Sequence, residues 1–156
     1  MTHKELVRKM SHWLQYSRRC PVVLSELVTQ HCETPDVIGF HGAGDSILIE
    51  CKVTRSDFLA DKHKIFRRVE ETGVGDVRYF AAPPGVIEVD DLPEGWGLMH
   101  VHDHQMRTER EPTRKPSNKR AEVVMLMSAI RRLEISTAVF VRQDIPENDN
   151  VTNIGD

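Results

Sequence analysis

Asp36, Glu50 and Lys52 are the three side chains whose types and spacing best suit chemistry on a phosphodiester. Pro35-Asp36 is followed, at hairpin distance, by Glu50-Cys51-Lys52. Two carboxylates from adjacent strands, completed by a backbone carbonyl such as that of Cys51, make an open site for a divalent cation. Magnesium prefers carboxylate and water oxygens and keeps several of its waters. Such an ion lowers the pKa of bound water and neutralises charge building on a phosphate. A lysine beside it can orient the attacking water and stabilise the pentavalent transition state. An acid-x-lysine pair alone recurs by chance, and its ordinary reading is a solvated charge pair on an exposed strand. The preceding Pro-Asp and the apolar stretch between the charges are what make it more specific.

The elements that must position these residues are legible in outline. Ser46 to Val53 is rich in aliphatic and β-branched residues, which favours a strand. Its alternation puts Ile47, Ile49, Cys51 and Val53 on one face, and Ser46, Leu48, Glu50 and Lys52 on the other, with the two charges about 7 Å apart. Asp36 to Phe40 reads as a second short strand, joined to the first by the Gly-bearing turn His41-Gly42-Ala43-Gly44-Asp45. Before the hairpin, Lys4 to Ser17 has a helical apolar face of Leu6, Met10, Trp13 and Leu14, stopped by Pro21; Val22 to Val28 follows as a strand. After it, Ser56 is expected to cap a helix running to about Thr72, with Gly73 ending it. Val77 to Ala81 and Leu98 to His102 read as strands, separated by an acidic loop from Ile87 to Gly97. Arg107 to Pro116 reads as a basic linker, and Asn118 to Leu133 as a long helix. Ser136 to Arg142 is compatible with either a strand or more helix.

Composition bounds the possibilities. The chain has 156 residues, enough for one domain with a real core, and is 39% hydrophobic and 29% charged, ordinary for a globular protein. No apolar run approaches membrane length and no signal-peptide pattern opens the chain, so a cytoplasmic protein without a membrane partner is expected. Cys20, Cys32 and Cys51 include no C-x-x-C pair, which favours reduced thiols over a disulfide framework. The net charge of -3 does not advertise a nucleic-acid partner, but it is uneven. Beyond Arg142 stand Asp144, Glu147, Asp149 and Asp156 and no Lys or Arg; without these four acids the remainder is +1. Residues 1–142 therefore read as a single domain and 143–156 as an acidic, disordered tail.

The order helix, strand, hairpin, helix, strand, strand describes an α/β sandwich with a mixed central sheet. With Pro-Asp and Glu-x-Lys on a hairpin followed by a helix, the chain resembles the PD-(D/E)xK nuclease superfamily, whose restriction-endonuclease-like fold is a mixed β-sheet flanked by helices. It is more closely similar to the MmcB family of DNA-repair endonucleases. The similar pieces, in order, are Leu24-Ser25-Glu26, Asp36, Glu50-Cys51-Lys52, Ser56-Asp57-Phe58, Asp61-Lys62, Arg78-Tyr79-Phe80-Ala81 with Pro83, Leu92-Pro93 and Gly97-Leu98, with a looser echo at Arg114-Lys115. The resemblance implies that Asp36 and Glu50 are metal ligands, that Lys52 is the catalytic lysine, and that Glu26 supports the metal site or a second ion. It further implies magnesium or manganese as cofactor and DNA as substrate. Lys62 and Lys64 could contact phosphate. Glu33-Thr34-Pro35 departs from the family, which carries basic residues before the motif aspartate.

Other clusters have blander readings. His100, His102 and His104 would share a strand face and could bind a transition metal, but they run into a polar turn, where surface histidines are ordinary. Trp13 and Trp96 read as packing residues. Arg107, Arg110, Arg114, Lys115, Lys119 and Arg120 form a cluster able to contact a DNA backbone, or simply to solvate a linker. No P-loop and no G-x-S-x-G elbow occurs, which argues against nucleotide hydrolysis and that class of esterase. The expectation is a magnesium-dependent deoxyribonuclease acting in DNA repair or processing. The alternative is an idle nuclease-fold module that binds DNA or regulates a partner, since fold does not fix function. A homodimer would suit double-strand cleavage.

Overall fold

The computed structural model describes residues 1–29, 33–61, 69 and 72–133. A six-stranded mixed sheet runs through it in sequential order: β1 (Val22–Ser25), β2 (Val37–Phe40), β3 (Ser46–Cys51), β4 (Val77–Ala82), β5 (Gly97–Val101) and β6 (Met106–Arg110). β1, β2 and β3 form an antiparallel meander, β4 and β5 run parallel to β3, and β6 turns back antiparallel. Three helices flank the sheet among the described residues: α1 (His3–His12), α2 (Arg55–Asp61) and α3 (Lys119–Arg132). This is an α/β fold with a mixed sheet between helices, as the sequence predicts.

Each face of the sheet has its own core. Leu6, Val7, Met10 and Leu14 pack on Val37, Ile47, Ile49, Cys51, Tyr79, Ala81, Met99 and Val101. On the other face, Phe58 of α2 and Ala121 and Met125 of α3 meet Ile38, Phe40, Leu48, Phe80 and Leu98. Parallel strands covered on both sides read as near-continuous apolar runs. β3 is accordingly buried at all six positions. This corrects the expected picture of one core face opposite a polar one: β3 is a central strand, so its charged residue is forced into the interior with the rest.

Local chemistry explains the elements. Thr2 and Glu5 form a reciprocal capping box at the start of α1. The helix widens into a π-helical turn over Trp13–Ser17 before Pro21. The turn between β2 and β3 closes with His41 N–H donating to the Asp45 carbonyl at 2.8 Å. α2 starts two residues earlier than expected, at Arg55: the Thr54 hydroxyl, not Ser56, accepts the Asp57 N–H at 3.2 Å. The expected extension of this helix, like the expected disordered tail and the undecided stretch from Ser136, lies outside the described residues. Gly75 has φ +86, and a Cβ there would meet the Leu48 Cβ at 2.5 Å, so glycine is required where the chain enters β4.

Two further boundaries differ from expectation. β1 ends at Ser25, because Glu26 adopts a left-handed backbone (φ 50) that no strand continues through. The expected basic linker from Arg107 contains β6 instead. Its alternating charges mark an edge strand that discourages further pairing, which resembles linker composition in sequence.

Candidate active site

β3 delivers Glu50 and Lys52 to the carboxyl end of the sheet, where open α/β folds bind ligands. Glu50 sits opposite Phe80 of β4, and Lys52 follows the strand, its N–H donating to the Ala81 carbonyl at 2.9 Å. Both side chains are buried, at 1% and 5% exposure, with Lys52 Nζ 3.4 Å from Glu50 Oε2. A solvated surface pair is therefore ruled out. Asp36 arrives from the adjacent segment. The register pairing Val37 with Ile49, continued one step outward, sets Asp36 opposite Glu50. Its Oδ2 accepts the Cys51 N–H at 2.7 Å, which anchors the carboxylate across the end of β3.

Three further side chains join the site that motif spacing does not point to. Asp61, almost fully buried, places Oδ1 3.2 Å from Lys52 Nζ, and Asp57 places Oδ2 4.0 Å from it. Their i, i+4 spacing on α2 is the available signal: it sets both on one helical face, turned toward the motif lysine. His3, in the first turn of α1, puts Nε2 3.5 Å from Asp36 Oδ1 and Nδ1 3.8 Å from Glu26 Oε1. No spacing in the sequence links His3 to the motif, because only α1 packing on the sheet brings it there.

The expected site residues divide accordingly. Asp36, Glu50, Cys51 and Lys52 come together. Glu26 stands at their margin, exposed, its N–H donating to the Asp36 carbonyl at 3.0 Å. Burial first, then the charges of Asp36 and Glu50, drive the Cys51 thiol well above its ordinary pKa against the pull of Lys52. The thiol thus stays protonated, and only the carbonyl of Cys51 is a candidate oxygen donor. Lys62 and Lys64 lie outside the described residues. Arg114 and Lys115 lie at the opposite end of the sheet. Arg114 is paired with Asp45, beside the start of β3, and Lys115 N–H donates to the Asp76 carbonyl before β4. They are not beside Glu50 and Lys52.

Much of the remaining basic cluster serves the fold. Arg110 donates to the carbonyls of Trp96 and Pro93, each at 2.8 Å. Lys119 binds Asp76 at 2.5 Å and Glu122 at 2.9 Å. Glu33, standing where the resemblance would place a basic residue, is buried and accepts the Val74 N–H at 3.3 Å. The three alternating histidines diverge: His100 Nε2 lies 2.9 Å from the Ile87 carbonyl, whereas His102 and His104 are exposed past the end of β5.

Among the described residues, no group of three or more His, Cys, Asp or Glu is arranged to hold a metal ion. Magnesium does not require one, since it is commonly held by one or two carboxylates with water completing the shell. Asp36 and Glu50 offer hard oxygen donors of that kind. Besides Asp36, three carboxylates, Glu50, Asp57 and Asp61, stand within 4.0 Å of Lys52 Nζ, so oxygen donors are concentrated here. The donor chemistry therefore fits a hard divalent cation and does not fit a soft one.

No protein-family model and no curated protein matches the chain. Among solved structures, the chain is similar to the SPO1766 protein of unknown function from Silicibacter pomeroyi. The TM-score is 0.63 at 25% identity, over 86% of this chain and 90% of that one.

Proposed function

We propose that the chain is a metal-dependent DNA endonuclease that hydrolyses phosphodiester bonds, with a role in DNA repair or processing. One observation carries the reading: the buried Glu50–Lys52 pair at 3.4 Å, with Asp36 anchored on the Cys51 amide between them in sequence. Taking such charges out of water costs several kcal/mol each, and apolar side chains of similar volume often serve a fold as well or better. Packing alone gives little reason for a glutamate and a lysine at these positions, whereas chemistry does.

Asp36 and Glu50, with the Cys51 carbonyl, would hold magnesium or manganese. When bound, the ion would supply an activated water and neutralise charge developing on the phosphate. Lys52 then has two tasks its position suits. Its ammonium can donate to the attacking water and orient it, and it can donate to a non-bridging phosphate oxygen as negative charge builds there. Neither task requires it to lose its proton. Asp61 fixes the direction of the ammonium, and the Cys51 N–H fixes that of Asp36.

Nicking of supercoiled plasmid tests this reading. Wild-type protein is expected to nick in magnesium or manganese and to stop when chelator is added. Asp36→Asn and Lys52→Met, if correctly folded, should each lose at least about a hundredfold in rate, the scale of removing one donor that serves the transition state. Wild-type protein that binds DNA yet cuts no substrate, with either metal, would replace the enzyme by an idle nuclease-fold binding module.

A further inference from the structure

α1 carries a second row of side chains beyond those that pack on the sheet. Arg8, His12 and Trp13 line a cleft of about 610 Å3, faced by His102 and His104 from the turn after β5 and by Met106 at the start of β6. Lys9 fixes the two walls together: its Nζ donates to the carbonyls of His102 at 2.8 Å and Asp103 at 2.6 Å. It is a positioning residue, and Arg8, His12 and His104, all exposed, add further N–H groups to the lining. Asp103 is the one carboxylate among the described residues of the lining. Trp13 stands edge-on to Tyr79 at 5.9 Å and forms, with Met106, the apolar part of the wall.

A second cleft, of about 440 Å3, shares the turn from His102 to Gln105 and is completed by Met1, Pro83 and Pro84. Met1 is two residues from His3, which touches Asp36. Pro83 is two residues from Ala81, whose carbonyl accepts the Lys52 N–H. The two clefts and the cluster therefore follow the edge at which β3, β4 and β5 all end. α1 runs alongside, with Arg8 and His12 about 8 to 14 Å from His3 at 1.5 Å per residue.

We infer that this edge is the track of a single DNA strand leading away from the acid–lysine site, its phosphates on Arg8, His12 and His104 and a base against Trp13; the inference rests on the nuclease reading above. A cleft of this size is on the scale of a small-ligand site and receives nucleotides of one strand. A duplex instead is read by elements that enter its grooves. Cationic grooves with an aromatic platform bind single strands with little regard to sequence. In a chain of net charge -3, this lining is a local reversal of sign.

Fluorescence anisotropy of a labelled oligothymidine strand, in chelator so that nothing is cut, tests the track. Arg8→Ala/His104→Ala removes two exposed side chains, and circular dichroism confirms its fold. It should weaken strand binding at least about tenfold and flatten the log–log salt dependence by about 0.7 for each phosphate no longer neutralised. Arg131→Ala, an exposed change on α3 outside both clefts, should bind the strand like wild type. Unchanged affinity in the double variant overturns the track. So does tighter binding of the blunt duplex, or of the matching RNA strand. Strand binding that depends on Arg8 and His104, without plasmid nicking, supports the track and removes the nuclease reading. Nicking by a protein whose strand affinity ignores both residues does the reverse.

Discussion

Lys52 has a demanding position, buried with Glu50 at 3.4 Å and Asp61 at 3.2 Å. Deleting one member of a buried charged group leaves its partners uncompensated, at a cost of about 3–5 kcal/mol. Lys52→Met is therefore expected to lose that much stability in urea unfolding as well as its cleavage. Lys52→Met/Glu50→Leu, which removes the lysine together with one of the carboxylates beside it, should regain much of the stability and none of the cleavage. A double variant no more stable than the single one would show that repulsion between Glu50 and Asp61 is not the cause. Asp61→Asn separates orientation from metal binding: cleavage should fall about tenfold while manganese affinity changes less than about threefold, because Asp61 steers the ammonium and holds no metal. At this scale the sequence is partly legible. Asp36, Glu50 and Lys52 are a motif with fixed spacing across a hairpin, so local geometry brings them together. Asp61 and His3 reach the site only through the packing of α2 and α1, which motif spacing does not encode.

The strands and helices place that cluster, and α3 is tied to the sheet by a polar network at the end remote from it. Asp76 Oδ2 accepts from Ser46 N–H at 2.9 Å and from Lys119 Nζ at 2.5 Å, and Glu122 Oε1 accepts the Ser46 hydroxyl at 2.7 Å. Burial works to raise the Asp76 pKa, but the hydrogen bonds from Lys119, Ser117 and Ser46 outweigh it and hold the carboxyl below its ordinary value. A carboxylate depressed in the folded state contributes stability above its unfolded pKa, about 3.9 for aspartate, and loses that contribution as pH falls through the folded value. Asp76→Asn should therefore lower stability near neutral pH by about 1–3 kcal/mol, the cost of disturbing buried hydrogen bonds. Urea midpoints measured from about pH 6 to about pH 3 should fall less steeply in the variant than in wild type. Parallel curves would remove Asp76 as a source of acid sensitivity. α3 itself is well marked in sequence: Asn118 is the observed N-cap, its side chain accepting the Ala121 N–H. β6 is not marked, because an edge strand of alternating charges has the composition of a linker. β3 is legible as a strand but not in its setting, since period-2 alternation does not reveal that a strand is central and covered on both faces.

Across the whole molecule, charge is arranged against its average. The chain is net negative, yet half of the residues lining the cleft along α1 are cationic or imidazole, and four acids lie beyond Arg142. Exposed like charges repel a polyanion over about a Debye length, near 10 Å at about 0.1 M salt. Changing Asp144, Asp149 and Asp156 to Asn and Glu147 to Gln in the full chain shifts its net charge from -3 to +1. That variant should bind an oligonucleotide more tightly at low salt, with the difference disappearing near about 1 M. An equal gain at every salt concentration would point to direct contact instead. Among the described residues, no helix is long and apolar enough to cross a membrane. The α/β class is legible because alternating apolar segments and helical faces follow one another in a readable order. The path of the clefts is not, because it joins the start of α1 to the turns after β4 and β5, segments far apart along the chain.

The central claim is that Asp36 and Glu50 share one divalent cation beside Lys52. Calorimetric titration of manganese into the purified full-length chain tests it without any substrate. Wild-type protein should bind, Asp36→Asn and Glu50→Gln should each weaken binding at least about tenfold, and Asp57→Asn, on the exposed side of the cluster, should change it far less. Folded wild-type protein that takes up no manganese, or manganese binding indifferent to both Asp36 and Glu50, would contradict the account.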